Sequence, residues 1–151
     1  MIIKLNETEQ RLCQFLAKKR SIHNDSVGAV ATTYGDLDRS HAELNSLGGE
    51  LAFCKAFNLY PDLEFDCYGT EDAITHQGFR VDVKTTEWKN GKLMVKAIDR
   101  DNCDLYALMI GTFPKYTVAG FSSSAELFKE SNLDFSLPHP AYTMEQDRLI
   151  D

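Results

Sequence analysis

The chain has 151 residues, 43% of them hydrophobic, enough to bury one core without a second domain. Its formal net charge of −7 and pI near 5.0 argue against a protein that coats nucleic acid indiscriminately, though not against one with a local basic patch. No stretch approaches the roughly 18 apolar residues of a membrane span, and Met1-Ile2-Ile3-Lys4 does not read as a signal peptide, so a cytoplasmic protein is expected.

Asn6, with Glu9 three residues on, has the pattern of a capping box, and Leu12, Phe15 and Leu16 give the following helix an apolar face. Lys18-Lys19-Arg20 suit the last turn of that helix, where cations gain about 0.3 to 1 kcal/mol from the helix dipole, so the cluster reads as a solvated helix end. His23 to Asp38, small and polar, reads as a long loop placed to reach over a substrate. Residues 1–38 thus form an N-terminal helix and loop, and 39–151 the core of a single domain.

From Arg39 to Leu59 a helix is predicted, with Leu44, Leu47, Leu51, Cys54 and Phe57 on one broad face. Glu50 projects within that face, and a charge in an apolar stripe requires a partner, either a structural Arg or Lys or something bound. Gly48 and Gly49 each cost about 1 kcal/mol inside a helix, which implies close approach of another backbone or of a substrate.

Glu71 to Gly78 reads as a short strand ending in a turn, with Gly78 supplying the positive φ. If His76-Gln77-Gly78 make a three-residue loop, Thr75 faces Phe79 and the register pairs Asp72 with Asp82; a two-residue loop sets Asp72 against Val83 and turns it away. Asp66 is the competitor for the first aspartate, Glu71 has the wrong parity if Asp72 is right, and Asp62 after Pro61 reads as a turn residue.

The strand that follows is the most informative stretch. Its period of two sends Phe79, Val81 and Val83 to a core and Arg80, Asp82, Lys84 and Thr86 to the opposite, polar face. Two aspartates opposed across a ladder repel unless a cation lies between them, and Mg²⁺, a hard ion satisfied by one or two carboxylates, waters and phosphate oxygens, suits the position. An exposed Asp/Lys pair worth under about 1 kcal/mol is the plain alternative.

Strands are then expected at Leu93–Ile98, Leu105–Gly111 and Tyr116–Phe121, with a short helix after them, giving an α/β protein with a mixed sheet flanked by helices. Between Arg80 and Arg100, six basic residues face three acidic ones. Arg80, Thr86, Lys89, Lys92 and Lys96 are therefore candidates to follow a phosphate backbone, unless these are ordinary surface lysines. Trp88 is either a hydrophobic anchor, the stronger reading, or a stacking surface for a base. Cys13, Cys54, Cys67 and Cys103 lack CxxC spacing and read as free thiols; of the four histidines only His76 falls near the proposed site.

Taken together, Gly48-Gly49-Glu50-Leu51-Ala52-Phe53, Asp72, Asp82-Val83-Lys84 and Asp104-Leu105-Tyr106-Ala107-Leu108-Met109 resemble the PD-(D/E)xK nuclease superfamily. Gly120-Phe121, Ala125-Glu126-Leu127 and Pro140-Ala141-Tyr142 are similar to closing segments of its small prokaryotic and phage members, so the likeness runs from about Glu43 to Leu149. The Pro-Asp pair of the superfamily's name is absent, because Glu71 precedes Asp72. The resemblance implies a restriction-endonuclease-like core and a Mg²⁺-dependent endonuclease, with Mn²⁺ as a substitute ion. Asp72, Asp82, the Val83 carbonyl and Glu50 would hold the metal, and Lys84 would orient the attacking water. It also supplies DNA as substrate, and a twofold dimer if both strands are cut. A second expectation from another class is a non-catalytic nucleic-acid or protein-binding module that keeps the fold.

Overall fold

In the computed structural model, Asn6 and Glu9 close the expected capping box: Asn6 Oδ1 accepts from the Glu9 N–H at 2.9 Å, and Glu9 Oε2 from the Asn6 N–H at 2.6 Å. The structure describes residues 1–26, 39–64, 71–100 and 102–151. A short strand β1 (Ile2–Lys4) precedes the box, and helix α1 (Glu7–Ser26) follows it. Because α1 runs on to Ser26, Lys18-Lys19-Arg20 lie inside the helix rather than in its last turn, and His23 to Ser26 are helical rather than loop. The rest of the expected long loop lies outside the described residues.

The buried stripe of α1 is narrow, Cys13 and Leu16. Phe15, two residues and therefore about 200° from Cys13, points away and is 57% exposed, contrary to expectation. Helix α2 (Arg39–Phe57) is buried nearly all round at its middle, from Leu47 to Glu50 and again from Ala52 to Cys54, because α1 covers one side and a sheet the other.

That sheet has five strands in the order β1-β6-β5-β3-β2: β2 (Ala73–Ile74), β3 (Arg80–Thr86), β5 (Leu105–Thr112) and β6 (Lys115–Ser123). β3 and β5 run parallel, and every other pairing is antiparallel. Ile3, Phe53, Val81, Val83, Ala107, Met109 and Tyr116 form the core under the helices. The mixed α/β class is as expected, with α2 packed against one face of the sheet. Its other face is covered by a three-stranded antiparallel sheet, β4 (Leu93–Lys96), β8 (Ala141–Met144) and β7 (Leu133–Asp134). Tyr106 and Leu108 pack there against Leu93, Val95, Tyr142 and Met144. The cause is legible in β5, whose Leu105-Tyr106-Ala107-Leu108-Met109 run is apolar on both faces and needs cover on both. The strand expected to reach Ile98 ends at Lys96; a 3₁₀ turn takes Ala97–Asp99 and leaves Ile98 exposed. A short helix α3 (Ser124–Leu127) follows β6, its N-cap Ser123 accepting from the Glu126 N–H. No helix among the described residues is long and apolar enough to cross a membrane.

Side chains, not a backbone or a substrate, account for Gly48 and Gly49. A Cβ at Gly48 would lie 2.1 Å from the Tyr116 hydroxyl oxygen, and one at Gly49 2.0 Å from Thr85 Oγ1. The Tyr116 hydroxyl is pinned by Asn45, and Thr85 Oγ1 is buried without a hydrogen-bond partner. Gly49→Ala should therefore lower stability by about 1 to 3 kcal/mol in denaturant unfolding. Adding Thr85→Ala, which removes Oγ1 and leaves only the Cβ of residue 85 at 3.0 Å, should recover part of that loss; no recovery would place the strain elsewhere.

Candidate active site

The hairpin takes the three-residue loop. Ala73 pairs with Val81 and Ile74 with Arg80, the Thr75 N–H donates to the Phe79 carbonyl at 2.9 Å, and Gly78 has φ +91°. The same register carried one residue further sets Asp72 opposite Asp82. The ladder itself stops at Ala73, and Asp72 bends onto the β3 edge: its N–H donates to the Val81 carbonyl at 2.9 Å and its Oδ2 accepts from the Val83 N–H at 2.7 Å. The carboxylate stands where the next strand residue would offer a carbonyl. In an extended strand a residue's N–H and C=O point to the same edge, so the Val83 carbonyl lies on the Asp72 side. The Arg80 carbonyl, of opposite parity, accepts from the Asp104 N–H of the β5 segment. Phe79, at the hairpin tip, is half exposed and does not join the core as expected.

Along β3, Val81 and Val83 are buried on the helix side, while Asp82 and Lys84 share the other face and pair at 2.8 Å. Partial burial pulls the Lys84 ammonium toward its neutral form, but Asp82, with Asp72 and Asp99, outweighs it and holds the pKa above the ordinary lysine value. Lys84 is thus a cation and a donor at neutral pH, not a base.

Glu50 comes from α2 and is buried. Arg20 of α1 reaches it, Nη1 to Oε2 at 3.4 Å, and also lies 3.9 Å from Glu43 and 3.4 Å from the Glu64 carbonyl; the Ser46 hydroxyl donates to Glu50 Oε1 at 3.4 Å. Burial pushes the Glu50 carboxyl up to about 7; Arg20 and Lys84 oppose the rise, and Glu43 and Asp82 add to it. Asp72 is likewise raised well above the ordinary aspartate value, by burial first and then by the charges of Glu50 and Asp82, against the Val83 hydrogen bond and Lys84. Glu50, Asp72, Asp82 and Lys84 are therefore within electrostatic reach of one another, around a β3 edge that no ladder covers beyond Val81 among the described residues.

Among the described residues, no three His, Cys, Asp or Glu side chains are assembled into a group that could hold a metal ion. The contacts give the reason: Lys84 lies on Asp82, Arg20 on Glu50, and Asp72 on the Val83 N–H. The donor set nevertheless fits a hard cation, because it consists of carboxylate oxygens, and at Glu50 and Asp72 the ionised form is penalised where it stands, a penalty that a cation relieves.

Arg20 is the residue that sequence reasoning missed. The apolar stripe around Glu50 demanded a cation, but nothing in the spacing singled out a residue 30 positions earlier. His41 of α2, in hydrogen-bond contact with Glu87, was missed too.

The candidate phosphate-tracking residues are spread over several elements. Arg80 and Thr86 are on β3, Lys89 is exposed in the turn that follows, Lys92 directly precedes β4, and Lys96 ends it. Arg80 Nε lies 3.5 Å from Asp104, whose carboxyl is held below its ordinary range by the Arg80 N–H and side chain, and Lys92 lies 3.6 Å from Glu145. Thr86 Oγ1 accepts from the Trp88 N–H, and Trp88, far from anchoring a core, is exposed. His76 is exposed at the hairpin tip, and Asp62 accepts from the Glu64 N–H as a turn residue. Cys13, Cys54 and Cys103 are buried free thiols, each pushed up to about 12 by burial first. Asp66 and Cys67 lie outside the described residues. Compared with protein-family models and with curated proteins, the sequence matches none.

Proposed function

We propose that the protein is a Mg²⁺-dependent endonuclease that hydrolyses phosphodiester bonds in DNA, with Mn²⁺ able to substitute and with the chain organised on a restriction-endonuclease-like core. The observation that carries this reading is the hairpin register, which brings Asp72 to the β3 edge beside the Asp82-Val83-Lys84 run. Asp72, Asp82 and the Val83 carbonyl would hold the ion, with Glu50 joining directly or through water. When bound, the ion supplies a polarised phosphate and a water of lowered pKa. Asp72 is fixed to β3 by the Val83 N–H, so its position relative to Asp82 and Lys84 is set by the strand itself. Lys84, protonated and one hydrogen bond from Asp82, would turn toward the reacting water and the charge that grows on the phosphoryl oxygens. The substrate class comes from the resemblance; spacing alone supports a carboxylate, metal and lysine site.

The Asp82–Lys84 and Glu50–Arg20 pairs favour one other reading, a nucleic-acid or protein-binding module without chemistry, since they satisfy carboxylates with no ion. Incubation of the purified protein with plasmid, branched DNA and RNA, with and without Mg²⁺, separates the two. Mg²⁺-dependent cutting of DNA is expected; binding without cutting under every metal condition would leave the binding module.

A further inference from the structure

Trp88 is the chain's single tryptophan and is 75% exposed, yet the turn that carries it is tightly fastened. Its N–H donates to Thr86 Oγ1 at 3.2 Å, and its carbonyl accepts from the Gly91 N–H at 2.8 Å. From outside, the Gln146 amide donates to the Lys89 carbonyl at 2.9 Å and to the Gly91 carbonyl at 2.7 Å. A Cβ on Gly91 would meet Thr86 Cγ2 at 2.5 Å, so the turn has no slack. An indole that buries 150 to 250 Å² in an ordinary core is here held out in water on a rigid support. Rigid presentation of an aromatic ring lowers the ordering cost of binding.

The surroundings say what the ring meets. A protein-docking hot spot sits at an interface core depleted of charged residues, whereas Trp88 is flanked in sequence by Glu87, Lys89, Asn90 and Lys92. The one acidic member, Glu87, is turned to His41 of α2, and the exposed Lys89 is next to Trp88 in the chain. An exposed aromatic with cations alongside is the arrangement that stacks a base while the cations track the phosphates. Lys84 lies on β3, four residues before Trp88, and so within about 13 Å of it at the rise of an extended chain.

We infer that Trp88 is a stacking platform for an unpaired nucleobase next to the cutting site, so that the substrate is nucleic acid with a single-stranded or flipped-out nucleotide there. This rests on the nuclease reading and narrows its substrate class, because an indole face reaches only a base that has left the duplex stack.

With one tryptophan beside six tyrosines, emission excited selectively at the indole reports on Trp88 alone. The protein is titrated in Ca²⁺ with a fluorescein-labelled thymidine 20-mer and with a 20-base-pair duplex, following both indole emission and label anisotropy. The single strand should quench the indole and the duplex should not. Trp88→Ala should bind the single strand about tenfold more weakly, with Trp88→Phe close to wild type. Single-strand binding with unchanged indole emission, or undiminished affinity in Trp88→Ala, overturns the platform and returns the ring to protein contact, while plasmid cutting by that variant keeps the nuclease reading intact. Failure of the wild type to bind any oligonucleotide or to cut plasmid overturns both.

Discussion

Asp82→Asn and Lys84→Ala should each reduce phosphodiester hydrolysis at least about a hundredfold, while affinity for DNA in Ca²⁺ stays within about tenfold of wild type. The geometry separates the two variants further. Asp82 and Lys84 are joined at 2.8 Å, so the ammonium stands where a metal ion would approach the carboxylate. Removing Lys84 uncovers Asp82, and Mg²⁺ should then raise the melting temperature of that variant at least as much as it raises that of wild type. Removing the Asp82 charge takes away a proposed ligand, and the Mg²⁺ response should shrink. Single-turnover cleavage and thermal melts on the same preparations test both. Undiminished cutting by Lys84→Ala, purified free of host nuclease, would end its catalytic assignment.

Asp72→Asn should raise the melting temperature of the metal-free protein at pH 8 by a few degrees, the response to about 1 kcal/mol in a domain of this size. The substitution removes a charge that burial, Glu50 and Asp82 disfavour, and the amide oxygen still accepts from the Val83 N–H. Asp82→Asn would relieve the same repulsion but strand Lys84, so the ion pair makes Asp72 the cleaner probe. The pH sign follows from which state holds the proton. Glu50 and Asp72 have folded pKa values above their unfolded ones, so as pH rises past the unfolded values the unfolded chain releases protons that the folded one keeps, and stability falls. For Glu50 the loss runs from about 4.5 to about 7 and is on the order of 3 kcal/mol when complete. The advantage of Asp72→Asn should therefore shrink as pH falls toward the ordinary aspartate value of 3.8 and vanish below it, and Mg²⁺ should stabilise the variant less than wild type at pH 8. Equal melting temperatures at pH 8 with an unchanged Mg²⁺ response would make Asp72 a purely structural acceptor.

The hairpin was readable because its determinants are local: Gly78 fixes the turn, and strand parity then sorts Val81 and Val83 from Asp82 and Lys84. Glu50 was readable as a misfit in an apolar stripe. Arg20 was not, because a run of three basic residues imitates a helix end and its partner lies across a helix–helix contact. The second sheet was hidden for a related reason. β7 and β8 are two and four residues long, and β8 pairs with β4 some 48 positions away, so no local pattern announces them. Trp88 misled in the other direction, since apolarity predicts burial only on average.

Arg20 also joins two things that look separate. The docking of a 20-residue helix and the state of one buried carboxylate share a single contact, and so belong to one equilibrium. Whatever takes over Glu50 loosens α1, and whatever shifts α1 frees Glu50, by the same free energy in both directions. The N-terminal helix contributes no carboxylate or lysine to the proposed chemistry, yet through one guanidinium it acts as a lever on it.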